Sequence, residues 1–230
     1  KNFTKKEVET ISNNAMRQSD RYRTMRNAGA SREEITQAFN TKTEMRVFSY
    51  SGWVDTLMTP MDSIRYNKHF LRCGFMSVDP SNGHVKAYVG GPDYSAFQYD
   101  MATLGRRQIG STVKPYLYTL AMEEGMAPCD LILCAPITLQ TSSGPYTPRN
   151  ASSARMGEMV SLRWALANSN NWISVRLLTQ YTPESLARLM RSFGIRGQID
   201  PVASLALGPV DVSVSEMVNA YTAFPSKGIR

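Results

Sequence analysis

The chain has 230 residues, 42% hydrophobic and 20% charged, which is ordinary globular composition and rules out a disordered or fibrous polymer. No apolar run approaches the ~18–20 residues of a membrane span, and no basic-then-apolar leader is present. The net charge of +7 comes from 26 scattered Lys and Arg residues with no run and no aromatic-basic motif. Nucleic-acid binding is therefore not predicted: a scattered charge excess is often only a solvated surface, and attraction to an anionic surface or a carboxylate-rich polymer fits it equally well.

The sequence starts at Lys1 within a polar helical pattern and stops at Arg230 just after Gly228. Both ends read as cut, so the chain is taken as a piece of a longer protein. Three cysteines, Cys73, Cys129 and Cys134, are too few for a disulfide framework. Cys129 and Cys134 are spaced for a bridge in an oxidising compartment, but free thiols are the preferred reading. His69 and His84 lie far from them, so no metal site and no Ser-His-Asp triad is expected, and no cofactor.

In chain order, residues 1–46 read as helices. Thr4 with Glu7 and Ser31 with Glu34 fit capping boxes, and Asn27-Ala28-Gly29-Ala30 reads as a break between them. Residues 47–65 alternate weakly around Pro60 and predict a short strand or extended linker. Residues 72–91 predict a β-hairpin: Phe75, Met76 and Val78 lead into Asp79-Pro80-Ser81-Asn82-Gly83, and Val85, Ala87 and Val89 alternate afterwards. Asn82-Gly83 is expected to supply the positive φ angles of its turn.

A helix is predicted from Ser111 through Met122, ending near Gly125. A loop-rich stretch follows over 126–157, holding Pro128, Pro136, Pro145 and Pro148. Shorter helices are expected over Ser161–Ala167 and Trp172–Gln180. Thr182-Pro183-Glu184 opens another that stops at Gly194. Ser213 with Glu216 opens a last helix, ending near Pro225.

Chemistry concentrates in Gly110-Ser111-Thr112-Val113-Lys114-Pro115. A Ser and a Lys three apart share a helical face. A serine hydroxyl is a poor nucleophile until a base takes its proton, and lysine serves only as a neutral amine. Burial and the positive end of a helix both favour that neutral form. The spacing alone arises often by chance. A second polar cluster, Ser169-Asn170-Asn171, comes roughly 55 residues later between two predicted helices. In isolation it reads as a helix cap.

Together, Ser-x-x-Lys and the later Ser-x-Asn resemble the penicillin-binding and β-lactamase group of serine acyltransferases. Arg107-Gln108-Ile109-Gly110-Ser111-Thr112-Val113-Lys114-Pro115 is similar to the nucleophile segment of class A, bifunctional penicillin-binding proteins. Phe75 through Gly91 resembles the paired strands before it. Tyr146-Thr147-Pro148-Arg149-Asn150, Ala165 through Asn171, Leu205-Ala206-Leu207-Gly208 and Glu216 through Tyr221 fit the same family.

The resemblance implies a mixed α/β (α+β) fold of the penicillin-recognising transpeptidase type, mostly helical here with a β-hairpin. It also implies a connecting region over 1–69 and the N-terminal part of a transpeptidase domain over 70–230. By the same resemblance, Ser111 attacks the D-Ala-D-Ala amide of a peptidoglycan stem peptide, with Lys114 as base. Ser169 shuttles a proton toward the leaving group, Asn171 holds the substrate amide, and β-lactams acylate Ser111. Cell-wall synthesis proteins are the implied partners, at the outer face of a membrane to which the parent protein is anchored.

Two features depart from the family pattern. Ile109 stands where a proline is common. The third motif, a Lys-Thr-Gly on a strand beside the serine, is absent. The only later lysine is Lys227, so the motif is expected beyond Arg230 and the 230-residue chain alone is expected to be nearly inactive. The sheet is likewise expected to be reduced to the 72–91 hairpin, its edge covered by another segment or chain. The alternatives are a β-lactamase-like serine hydrolase, in which water accepts the acyl group, and a non-catalytic interaction module that uses residues 1–69.

Overall fold

The computed structural model describes residues 3–141 and 144–228, so the two chain ends read as cut lie outside the described residues. It resolves into two compact units, Lys1–Arg72 and Cys73–Arg230, considered separately.

In the first unit, α1 (Lys5–Gln18) and α3 (Arg32–Asn40) both begin with complete capping boxes. At Ser31, for example, the Glu34 N–H donates to the serine hydroxyl at 3.2 Å while the Ser31 N–H donates to the Glu34 carboxylate at 2.7 Å. Between them α2 (Asp20–Asn27), capped by Ser19, runs into Gly29, whose φ of +82° turns the chain.

Residues 47–65 differ from the predicted short strand or linker. Strands β1 (Thr43–Ser49) and β2 (Gly52–Met58) pair antiparallel through seven residues each, and α4 (Pro60–His69) follows. The strand signal is weak because β2 stays largely exposed and so carries no apolar alternation. Pro60 reads as a breaker but sits in the first turn of α4, where its missing N–H removes no bond. Ile35, Phe39, Val47, Phe48 and Met61 form the buried core of this unit.

The second unit is built around one buried helix. Strands β3 (Phe75–Val78) and β4 (Val85–Val89) form the expected hairpin, but with a longer turn. Gly83 donates its N–H to the Asp79 carbonyl at 2.8 Å, and Gly83, at φ +73°, is the residue of the Asn82-Gly83 pair in the left-handed region. A register shift at Ser77/Val78 absorbs the extra length.

Next come β5 (Arg106–Gln108), a 3-10 turn over Gly110–Val113, and α5 (Lys114–Glu123). The predicted helix thus starts three residues later than Ser111. Lys114, Tyr116, Leu117, Tyr118, Leu120 and Ala121 are all buried, so α5 is enclosed rather than amphipathic.

The loop-rich stretch contains β6 (Leu131–Leu133), β7 (Leu139–Thr141) and β8 (Gly144–Tyr146), and β9 (Met159–Ser161) comes just after it. β6 pairs with β9 and β7 with β8. The strand content therefore exceeds the single hairpin read from the sequence. Three-residue strands are too short to show a period of two.

Helices α6 (Leu162–Ala167), α7 (Asn171–Gln180) and α8 (Pro183–Ser192) surround α5. A 3-10 turn over Ala203–Leu207, β10 (Asp211–Ser213) and α9 (Val214–Tyr221) complete the unit. α9 ends four residues short of Pro225. Ser213 and Glu216 form the predicted capping box there. β10 pairs antiparallel with β5, which brings chain a hundred residues downstream against the strand before Ser111. Cys134 is buried in the core, while Cys129 is exposed and both thiols are free.

Candidate active site

The strand pair β5–β10 aims the chain at the site. Beyond the ladder, the Ile109 N–H donates to the Val210 carbonyl at 3.0 Å and the Gly110 N–H to the Gly208 carbonyl at 3.1 Å. Gly110 has φ +52° and Gly208 has φ +70°. A side chain at Gly208 would place its Cβ 2.1 Å from the Gly110 carbonyl oxygen, inside contact distance of backbone that cannot swing away. Gly208 is therefore fixed both by its dihedral and by this close approach.

From Gly110 the chain makes its 3-10 turn, in which residues three apart eclipse one another. That places Lys114 directly behind Ser111. Ser111 is exposed, whereas Lys114 is 1% exposed. Tyr221 of α9 braces the turn by donating its hydroxyl to the Thr112 carbonyl at 2.8 Å. The Arg106 guanidinium holds the α9 capping residue Glu216 at 2.9 Å. Among the described residues the Ser111 N–H has no hydrogen-bond acceptor, so an unused donor stands beside the serine hydroxyl.

Ser169 is positioned by the end of α6. Its N–H donates to the Leu166 carbonyl at 2.9 Å, and the Asn170 N–H to the Ala165 carbonyl at 2.9 Å. These two bonds make a Schellman ending, and its left-handed position, where glycine is usual, holds Ser169 at φ +50°. A serine kept at this backbone cost implicates its side chain. Asn170 caps α7 by accepting the Ile173 N–H at 3.0 Å, as expected of a polar cluster between two helices. The neighbours on either side of that cap face the lysine.

Lys114 Nζ donates to the Ser169 carbonyl at 2.5 Å, to Ser169 Oγ at 2.9 Å and to Asn171 Oδ1 at 2.7 Å. Ser169 Oγ in turn donates to Ser111 Oγ at 2.9 Å. The structure thus gathers all four sequence-predicted residues, but the wiring differs from direct contact along one helical face. Lys114 reaches Ser111 through Ser169.

This arrangement distinguishes the two protonation states of the lysine. The carbonyl and the amide oxygen only accept, so each holds an N–H whether the amine is charged or neutral. The third partner is a hydroxyl, which can accept from the ammonium or donate to the neutral amine. Removing one proton reverses that single bond. Burial pushes the Lys114 pKa down to about 8, so a useful fraction is neutral near physiological pH.

Residues 148–150 complete the site, with roles that sequence reasoning did not assign. The Asn171 N–H donates to Asn150 Oδ1 at 2.6 Å, and Asn171 Nδ2 donates to the Arg149 carbonyl at 2.7 Å. Trp172 Nε1 donates to the Pro148 carbonyl at 2.8 Å. In the sequence the Tyr146–Asn150 segment carries only a family resemblance. No spacing rule links a loop to a helix start some twenty residues later. Among the described residues no cluster of His, Cys, Asp and Glu could hold a metal.

An exposed serine wired through a second serine to a buried lysine of lowered pKa, at the start of an enclosed helix, is the framework of a lysine-assisted serine acyltransferase. Comparison with known proteins agrees. Residues 73–230 match the penicillin binding protein transpeptidase domain and residues 1–71 the penicillin-binding protein middle domain. The chain belongs to the penicillin-binding protein transpeptidase family, and its relatives place it with the class A members.

Penicillin-binding protein 2D of Bacillus subtilis (strain 168) is 30% identical over 99% of this chain, which covers 32% of that relative. Penicillin-binding protein 1A of Neisseria lactamica is 35% identical over 70% of the chain, covering 20% of its own length. The crystal structure of penicillin-binding protein 1A from Haemophilus influenzae superimposes with a TM-score of 0.62 and 26% identity, over 77% of this chain and 25% of that one. The chain thus spans between a fifth and a third of these relatives.

Proposed function

We propose that this chain is the connecting region and the nucleophile half of a longer D,D-transpeptidase that cross-links peptidoglycan at the outer face of the cell membrane. The observation that carries the reading is the hydrogen-bonded path Ser111–Ser169–Lys114, closed by Asn171.

Ser111 is the nucleophile. With Lys114 neutral, the Ser111 proton passes to Ser169 Oγ as the Ser169 proton passes to Lys114 Nζ. Ser111 Oγ then bonds to the carbonyl carbon of the penultimate D-Ala. Developing charge on the carbonyl oxygen falls beside the unused Ser111 N–H. When the C–N bond breaks, the leaving D-Ala amine takes a proton back along the same path. An amine of a neighbouring strand next attacks the ester, the Ser111 C–O bond breaks, and the hydroxyl recovers its proton.

Asn171 holds the substrate amide with its remaining N–H. Its oxygen and its other N–H are already committed to Lys114 and Arg149. A β-lactam follows the first half of this sequence and stalls as an ester.

Fluorescent penicillin tests the reading in the full-length protein. A stable adduct on Ser111, lost in Ser111→Ala and persisting for hours, is the expected result. An adduct that clears in seconds identifies a hydrolase instead. Labelling that survives Ser111→Ala removes Ser111 from the mechanism.

A further inference from the structure

On the side of the nucleophile segment formed by Gln108, the second unit holds a cavity of about 640 Å3 that no step above uses. Its wall comes from the end of β5, the β7–β8 hairpin and the 3-10 turn over Ala203–Leu207. Gln108, Gln140, Ser204 and Tyr146 line it. Among the described residues the side-chain polar groups of these four have no hydrogen-bond or ion-pair partner. Leu207 and Pro209 add apolar lining, and Tyr146 is 46% exposed. Among the described residues no charged side chain lines the cavity.

This set of groups has a definite preference. A carboxamide both donates and accepts, as does a hydroxyl. Four such uncommitted groups suit a ligand whose own groups do the same, namely sugar hydroxyls and acetamides. An exposed tyrosine ring beside aliphatic side chains receives the C–H face of a pyranose. A phosphate or carboxylate ligand would call for arginine or lysine, which the wall lacks. The volume falls within the range of small-ligand sites and has room for a disaccharide.

Its position is also informative. Gln108 is three residues before Ser111, within about 10 Å along the chain. Pro209 follows Gly208, whose carbonyl accepts the Gly110 N–H at 3.1 Å. A short peptide hanging from a sugar in this cavity therefore has the reach to meet the serine.

We propose that the cavity binds the N-acetylhexosamine backbone of the glycan strand whose stem peptide enters the serine site. This rests on the function proposed above, and the test separates the two. The probe is the disaccharide chitobiose, titrated calorimetrically into the full-length protein. The expected dissociation constant is on the order of millimolar, with Tyr146→Ala and Gln140→Ala each weakening binding by about five- to tenfold. Penicillin acylation of both variants should stay within about twofold of wild type, since neither residue touches the proton path. Cellobiose, which lacks the acetamido groups, should bind several-fold more weakly.

Absence of chitobiose binding, or binding unchanged in both variants, overturns the proposal. So does a D-Ala-D-Ala peptide that competes for the same cavity. Protein that binds chitobiose but resists acylation would instead overturn the serine reading and leave the sugar site standing.

Discussion

Ser169 offers a substitution that separates backbone strain from chemistry. It sits at φ +50° in the left-handed position of a Schellman ending, where a side chain costs about 1–2 kcal/mol relative to glycine. Ser169→Gly relieves that cost but adds about 0.5–1 kcal/mol of unfolded-chain entropy. Ser169→Ala keeps the strain. Both lose the hydroxyl, with its bonds to Lys114 and Ser111, at about 1 kcal/mol each.

The alanine variant should therefore fall about 2 kcal/mol below wild type in urea unfolding, and the glycine variant should stand about 0.5–1 kcal/mol above alanine. Acylation by penicillin, followed by stopped-flow fluorescence in the full-length protein, should drop about 100- to 10,000-fold in both, the usual weight of a positioned proton-transfer group. Equal stability of the two variants would refute the strain argument. Near wild-type acylation in Ser169→Gly would refute the proton path.

Further outcomes follow from the same geometry. Acylation should rise with pH and level off above about 8, because the neutral form of Lys114 is the base; a rate that falls over that range contradicts the assignment. The same depressed pKa means that the unfolded chain binds more protons than the folded one between about 8 and 10, so stability should increase across that window by up to about 3 kcal/mol. Denaturation of wild type against Lys114→Met at several pH values isolates this contribution. Gly208→Ala meets the Gly110 carbonyl at 2.1 Å in a left-handed conformation, and should cost about 3 kcal/mol or more with severe loss of acylation. Asn150→Ala strands the Asn171 N–H and should cost about 1–2 kcal/mol, with slower acylation measured by the same labelling assay.

Much of the local structure was legible in the sequence, because it rests on interactions within a few residues. The capping boxes at Thr4, Ser31 and Ser213, the start of α8 after Thr182 and the turn at Gly83 all follow from side chains meeting nearby backbone groups. The 43–58 hairpin was only partly legible and the short strands β5 to β10 were not, since exposed or three-residue strands leave no apolar period. The pairing of β5 with β10 depends on chain a hundred residues away.

The site divides in the same way. Residue types and spacing pointed to Ser111 and Lys114, because a serine nucleophile needs a nearby amine, while Ser169 and Asn171, which in isolation read as a helix cap, were singled out only by the family resemblance. Only the tertiary structure decided how they connect. It buried Lys114 inside α5, which lowers its pKa, and turned Ser169 into the left-handed position that inserts its hydroxyl between amine and nucleophile. It also gave Asn150 and Gly208 their roles, one fixing Asn171 and the other seating Gly110. Proton position and base strength depend on burial and on distances of a few ångströms, and those exist only once α5, α6 and α7 have packed together.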